Sequence, residues 1–114
     1  MSVLQHVVLF SFPQDLSAED WAEMQRQVRS WPAEIPGLDA VRLGPSIDDS
    51  RTRGYQYLLY MEVADVETLV AYQQHPTHQV FLQWVRDREC TPLAFDYYLD
   101  ESTVVVVASS ETTV

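Results

Sequence analysis

The stretch YQYLLYMEV, residues 55–63, constrains the fold of this chain more than any other segment. Aromatic and apolar residues along nearly its whole length predict a β-strand. Side chains alternate between the two faces of a strand. One face carries Tyr55, Tyr57, Leu59 and Met61, and the other carries Leu58 and Tyr60. Both faces are apolar, so a sheet that contains this strand needs cover on both sides.

Two further segments have the same two-sided character. In LQHVVLFSF, residues 4–12, the side chains of His6, Val8 and Phe10 alternate with those of Val7 and Leu9. In PLAFDYYL, residues 92–99, Leu93, Phe95 and Tyr97 alternate with Ala94 and Tyr98. The segment LDAVRLG, residues 38–44, predicts a fourth strand, and the polar loop PSIDDSRTRG that follows it is expected to be mobile.

Helical patterns lie between these strands. Ser17, followed by Asp20, resembles a capping box before a helix that we expect PAEIPG, residues 32–37, to break. Asp65 is a candidate N-cap for a second helix, with an apolar face of Val66, Leu69, Val70 and Tyr72. A third helix is predicted from Pro76, which suits a first helical position because it lacks the N–H that would be unpaired there.

The order strand, helix, strand, strand, helix pair, strand predicts an α+β fold. It is a ferredoxin-like, four-stranded antiparallel sheet with the helices on one face. The sheet of a second subunit is the simplest cover for the other face, which predicts a homodimer that buries Leu58, Tyr60, Phe95 and Tyr97. We expect one domain over residues 1–100 and a C-terminal arm or tail over residues 101–114. This C-terminal segment contains four consecutive valines, which would promote aggregation if they were left unpaired. We therefore expect an ordered strand or arm.

Composition excludes several classes of function. The chain has 114 residues and a formal charge of −10, which argues against nucleic acid and against an anionic membrane surface as partners. All seven basic residues are arginines, so no side-chain amine can form a Schiff base. The single cysteine, Cys90, allows no intramolecular disulfide and is interpreted as a bystander. With no signal-like start and no apolar run near a membrane span, we expect a cytoplasmic location.

The segment AYQQHPTH, residues 71–78, holds two of the three histidines and a tyrosine. His75 is expected to end one helix and cap the next. His78 falls in the first turn of its helix, where the helix dipole disfavours the imidazolium and favours a neutral ring that can act as a general base. Tyr72 could stand beside it as a hydrogen-bond donor. A core histidine that packs on a core tyrosine explains the same residues equally well.

The third histidine, His6, should reach the same interior from the sheet if its face meets the helices. Three histidines could also suggest a metal, but a His-Pro-x-His spacing across a helix start does not present both rings on one side. No metal site is therefore predicted.

These segments resemble the stress-response A/B barrel family of dimeric α/β barrels. The resemblance covers about residues 3–99 and depends on HVVLF, IPGL, GYQYLLYMEV, AYQQHPTH and FDY. It implies a small apolar or aromatic ligand, and in the polyketide cyclase-type members an acid/base pair that falls on Tyr72 and His78 and needs no metal or organic cofactor. The first-strand histidine of those members matches His6. The resemblance and the predicted faces together suggest ligand contacts at Val8, Phe10, Met24, Val28, Leu59, Phe81 and Ala94.

The lining departs from the cyclase pattern, since Met24 and Val28 replace aromatic residues, Glu89 replaces a tryptophan and Ala94 replaces a larger aliphatic residue. The substrate of the cyclase-type members is therefore not assigned to this chain. Two functions stay open: a cofactor-independent cyclase or isomerase that performs aldol or Claisen-like chemistry, and a non-catalytic stress-response or ligand-binding protein. A monooxygenase or haem-handling role, known on related barrels, has no feature here to support it.

Overall fold

A computed structural model describes residues 3–108 of the chain. The described residues form four strands, three α-helices and one short 3-10 turn. In chain order these are β1 (Val3–Ser11), α1 (Ala18–Glu34), β2 (Leu38–Pro45), the 3-10 turn (Asp49–Arg51), β3 (Tyr57–Val63), α2 (Val66–Gln74), α3 (Pro76–Asp87) and β4 (Thr91–Leu99). The third strand begins two residues later than the sequence indicates.

The strands form one antiparallel sheet in the order β2-β3-β1-β4. In this register His6 of β1 lies opposite Met61 of β3 on one side and Asp96 of β4 on the other. The predicted ferredoxin-like α+β fold, with a four-stranded antiparallel sheet, is confirmed.

The helices cover one face of the sheet and leave the other face open, as the alternation of side chains along the strands predicts. On the helix-facing side, Val8, Phe10, Leu59 and Met61 are buried in the core. On the opposite side, Leu58 and Phe95 are 41% and 67% exposed in the single chain. A polar network also lies on this open face, where the single hydroxyl proton of Tyr60 is shared between the side-chain oxygens of Gln5 and Glu62.

Helix α1 continues through Pro32 and ends at Glu34, inside PAEIPG, so the expectation that this segment ends the helix is confirmed. Proline lacks the N–H that would bond to the carbonyl of Val28, and this costs one helical hydrogen bond. Packing compensates for it, because Trp31 and the C-cap residue Ile35 on either side are 0% and 2% exposed. The N-cap is as expected, with the Ser17 side chain accepting from the amide of Asp20.

Helix α2 buries a narrower face than its sequence suggests. Asp65 caps it as predicted, accepting from the amide of Thr68. Leu69 and Tyr72 are buried, whereas Val66 and Val70 are 49% and 42% exposed. Of the four apolar residues on this predicted face, two are therefore buried and two are partly exposed in the single chain.

The helices do not cover β4. All nine residues of this edge strand are exposed in the single chain, including Ala94 and Asp96 on the side that faces the helices. β4 therefore forms an uncovered margin of the sheet beside His6.

The chain leaves β4 through a turn in which the Thr103 amide donates to the carbonyl of Asp100. Val104, Val105, Val106 and Val107 then lie in no strand and are between 62% and 88% exposed. The predicted added strand does not form within the single chain. An arm that contacts a second subunit stays a prediction, and its last residues, 109–114, lie outside the described part of the chain.

Candidate active site

The junction between α2 and α3 positions the tyrosine and both histidines of AYQQHPTH. Tyr72 is in the last turn of α2, and His78 is the third residue of α3. His75 ends the first helix, with its amide donating to the Tyr72 carbonyl over 3.1 Å. Its imidazole Nδ1 accepts from the amide of Thr77 over 3.1 Å and so begins the second helix. His75 is the capping residue that the sequence predicts.

His78 is 7% exposed and faces the core rather than solvent. Its Nδ1 lies 3.2 Å from the carbonyl oxygen of Gln73. A carbonyl can only accept, so Nδ1 carries a proton in this contact, and Nε2 is the acceptor nitrogen when the ring is neutral. Burial lowers the pKa of His78, and the nearby His6 lowers it further, while the contact with Gln73 opposes the shift.

The ring of Tyr72 stacks obliquely on that of His78, with 4.1 Å between the ring centroids. Tyr72 is 1% exposed, and burial raises its pKa, so the phenol keeps its proton near neutral pH. No hydrogen bond joins its hydroxyl to His78. The two stacked rings thus provide an O–H donor and a nitrogen acceptor that are not hydrogen-bonded to each other.

His6 enters the same cluster from the sheet, as its strand face predicts. It is 4% exposed, and its ring centroid lies 6.0 Å from that of Tyr72. Its Nδ1 donates to the carboxylate of Asp96, whose side chain is 39% exposed. Asp96 is a site residue that sequence reasoning missed: the FDY match places it in the last strand, but its contact with His6 depends on the register between the first and last strands.

Trp31 is a second site residue that sequence reasoning missed, because its helical spacing predicts only that it lies in the core. Its ring centroid lies 5.5 Å from that of Tyr72, 5.7 Å from that of His78 and 5.0 Å from that of Phe81. Within residues 3–108, its indole N–H is the one buried side-chain polar group with no hydrogen-bond partner.

Most of the predicted ligand-contacting residues belong to the core around this cluster. The buried members are Val8, Phe10 and Leu59 from the sheet, Met24 and Val28 from α1, and Phe81 from α3. Ala94 is not among them, because it lies on the exposed edge strand opposite Val8. It borders the uncovered margin beside Asp96 instead.

Open clefts occur elsewhere on the described surface. Four of them, with volumes of about 200 to 410 Å³, are lined by residues other than Tyr72, His78 and His6. One lies between α1 and β2 and has Val28 and Pro32 in its wall. None of these four clefts reaches Tyr72, His78 or His6.

Cys90 is half-buried, and burial raises the pKa of its thiol to about 11. The thiol stays protonated near neutral pH and is a poor nucleophile, which agrees with its interpretation as a bystander. Among residues 3–108, no three side chains of histidine, cysteine, aspartate or glutamate are grouped so that they could hold a metal ion. In the same part of the chain, no helix is both long and apolar enough to span a membrane.

The fold and the buried pair define a small ferredoxin-like α+β protein with polar groups enclosed between its sheet and its helices. Residues 4–99 match the stress responsive A/B barrel domain, and the chain belongs to this family. No curated protein sequence matches the chain.

Several solved structures share this fold. A dimeric ferredoxin-like protein of unknown function from Jannaschia is 26% identical, with 83% of this chain and 97% of that chain covered and a TM-score of 0.71. A dimeric ferredoxin-like protein of unknown function from Thermobifida fusca is 19% identical, covering 86% and 92%, with a TM-score of 0.74. The hydroxynitrile lyase from Passiflora edulis is 13% identical, covering 90% and 97%, with a TM-score of 0.76.

Proposed function

We propose that this protein is a homodimer that binds a small apolar or aromatic carbonyl compound and performs cofactor-independent acid–base chemistry on it. The reaction class is cyclisation or isomerisation of the aldol or Claisen type, or a related lyase reaction. His78 is the base and Tyr72 is the hydrogen-bond donor. The single observation that carries the proposal is the placement of His78, a buried ring whose Nδ1 faces the carbonyl oxygen of Gln73 and whose pKa is lowered by burial, so that Nε2 is its proton acceptor.

A neutral imidazole beside a protonated phenol is suited to proton abstraction next to a carbonyl group. Nε2 of His78 would take a proton from the carbon adjacent to the carbonyl, while the Tyr72 hydroxyl donates to the oxygen that becomes the enolate. In an aldol step the enolate carbon then forms a bond with a second carbonyl carbon. The new alkoxide takes back the proton from the His78 imidazolium, so the protein ends in its starting state.

His6 and Asp96 would assist from the margin of the site. The Asp96 carboxylate holds His6 by Nδ1, which leaves Nε2 of His6 free on the side of the ring cluster. Asp96 is 39% exposed and lies on the uncovered strand, so we propose that the ligand enters over β4, past Ala94.

The fold relationship with the hydroxynitrile lyase is compatible with this chemistry. That protein is a hydroxynitrile lyase with the same fold. At 13% identity this similarity shows a shared fold and gives no information about the substrate. The proposal therefore depends on the side chains of this chain.

A non-catalytic ligand-binding or stress-response protein is the second candidate. The close packing of Tyr72 on His78, at 4.1 Å between ring centroids, favours it because a ligand must displace side chains to reach the pair. Both candidates share the homodimer and the internal ligand. They differ in whether a proton is transferred.

Exchange of carbon-bound protons tests the catalytic proposal without knowledge of the substrate. Acetophenone and a set of small methyl ketones and diketones are incubated with the protein in deuterated buffer, and loss of the methyl proton signals is followed by NMR. The wild-type chain should accelerate exchange, and His78→Ala should reduce the acceleration about 10²- to 10⁴-fold. Tyr72→Phe should lower it while the fold is kept, because only a hydroxyl is lost.

His75→Ala is the matched control, since this histidine lies three residues away and serves as a helix cap. It should leave the exchange rate unchanged. Exchange that depends on His75 and not on His78 would contradict the assignment of the base. Binding of the ketones with no accelerated exchange would favour the non-catalytic candidate.

A further inference from the structure

The indole N–H of Trp31 is buried without a hydrogen bond, and no neighbouring group among the described residues explains why a donor lies there. The side chain is 0% exposed, and its N–H has no hydrogen-bond partner within the described part of the chain. Native proteins pair nearly all buried polar groups, and each exception needs a reason such as a ligand, a catalytic role or a water. If Trp31 served packing alone, an aromatic residue that lacks an N–H would fill the same space. It would avoid the cost of burying an unpaired donor.

The neighbours of Trp31 are the same groups that form the proposed acid–base pair. Its ring meets Tyr72, His78 and Phe81 at steep angles of 69°, 66° and 87°, with centroid distances of 5.0 to 5.7 Å. An aromatic face accepts an N–H only weakly. Trp31 comes from α1, Tyr72 from α2 and His78 from α3, so the three helices each contribute one polar group to a single cluster.

We propose that Trp31 is a ligand-binding residue whose N–H donates to an oxygen atom of the bound molecule. This inference rests on the proposed function and narrows its ligand. The ligand class is a planar, largely apolar compound with a carbonyl or enolic oxygen, because the walls are the rings of Trp31, Tyr72, His78 and Phe81. With Trp31 and Tyr72 as donors and His78 as acceptor, the site binds a ligand with at least one hydrogen-bond-accepting oxygen in preference to a pure hydrocarbon of the same shape.

Two probes of nearly equal shape separate the hydrogen bond from the apolar contact. Acetophenone carries a carbonyl oxygen where α-methylstyrene carries a CH₂ group. The three indole N–H resonances of the protein are assigned from single Trp→Phe variants, and each probe is titrated into ¹⁵N-labelled dimer. Acetophenone should bind about ten-fold more tightly than α-methylstyrene. It should also move the Trp31 indole proton downfield, whereas α-methylstyrene should not.

Variants show which hydrogen-bond donor causes the preference for acetophenone over α-methylstyrene. Trp31→Phe should reduce the ten-fold preference to about two- or three-fold, and Tyr72→Phe should remove part of the remainder. Trp84→Phe is the matched control, because Trp84 lies on α3 beside Phe81 and stacks under the Arg88 guanidinium. It should leave the preference unchanged. The resonance measurement on the wild-type chain keeps the test decisive if Trp31→Phe folds poorly.

The outcomes distinguish this inference from the function on which it rests. If both probes perturb the resonances of Tyr72 and His78 while the Trp31 indole proton does not respond to acetophenone, Trp31 is not a donor and the proposed function still stands. If neither probe binds at millimolar concentration, both proposals fail. A downfield shift with acetophenone alone, together with loss of the preference in Trp31→Phe, establishes Trp31 as a ligand-binding residue.

Discussion

Buried His6 and partly exposed Asp96 lie directly opposite each other on β1 and β4, and the imidazole donates to the carboxylate. Ninety residues separate them in the sequence. The contact fixes which nitrogen of His6 carries a proton and links the interior of the helix–sheet layer to its uncovered margin. It therefore joins the edge strand to the candidate site.

Removal of the carboxylate should leave buried His6 without its partner. We expect Asp96→Ala to lower the free energy of unfolding by about 1 kcal/mol, a modest value because the carboxylate is partly solvated. Asp96→Asn should cost less, since its amide oxygen can still accept from Nδ1. Urea denaturation measures both. Asp39→Ala, which removes an exposed carboxylate from β2, is the control and should change stability by less than about 0.5 kcal/mol.

The position of Asp96 illustrates what sequence reasoning could not reach. Strand alternation predicts that His6 faces inward with Val8 and Phe10, because it depends only on local spacing. Pairing of His6 with Asp96 depends on the register between the first and the last strand, which neither segment encodes alone. The same limit applies to Trp31, whose helical spacing predicts burial but not the lack of a partner for its N–H.

The sequence predicts that α1 ends within residues 32–37 but not at which residue. Local propensity favours a break at Pro32, but Trp31 and Ile35 both need burial. Continuing the helix for one more turn satisfies both of them. Tertiary packing thus outweighs one lost hydrogen bond, and no local pattern shows the balance.

The lowered pKa of His78 makes a prediction about stability and pH. A histidine in the unfolded chain titrates near 6.5, whereas His78 in the folded chain binds its proton only at lower pH. Below pH 6.5 the unfolded state therefore binds more protons, so stability present above pH 6.5 is lost as the pH falls toward the folded-state pKa.

Thermal or urea unfolding between pH 7.5 and 5 measures this slope. We expect His78→Asn to flatten it, because the variant has no proton to gain at this position, while His75→Asn should retain the His78-dependent part. Carboxylates with lowered pKa values, such as Asp20 and Glu62, titrate below this window and should not contribute to it. An unchanged slope in His78→Asn would contradict the assignment of a neutral, buried His78.

The open face of the sheet predicts the dimer interface. Leu58 and Phe95 are 41% and 67% exposed in the single chain, and dimeric structures with this fold are known. Phe95→Asp should weaken association at least a hundred-fold, because it would bury an unpaired charge among apolar side chains. Val80→Asp is the control: Val80 is 63% exposed on α3, on the other side of the molecule from the open face. Sedimentation equilibrium measures both, and a stable wild-type monomer at micromolar concentration would contradict the interface.

The valine segment that follows β4 should contribute to the same association. Val104, Val105, Val106 and Val107 are 62% to 88% exposed in the single chain and lie beyond the family match. Burial of even one valine against a second subunit stabilises by about 1.5 kcal/mol, which is roughly ten-fold in a dissociation constant. Deletion of residues 104–114 keeps the turn at Asp100–Thr103 and should raise the dimer dissociation constant by at least about ten-fold. Deletion of residues 109–114 alone retains the valines and should leave it unchanged. Equal dissociation constants for the wild-type chain and the longer deletion, measured by sedimentation, would show that the valines do not contact the partner.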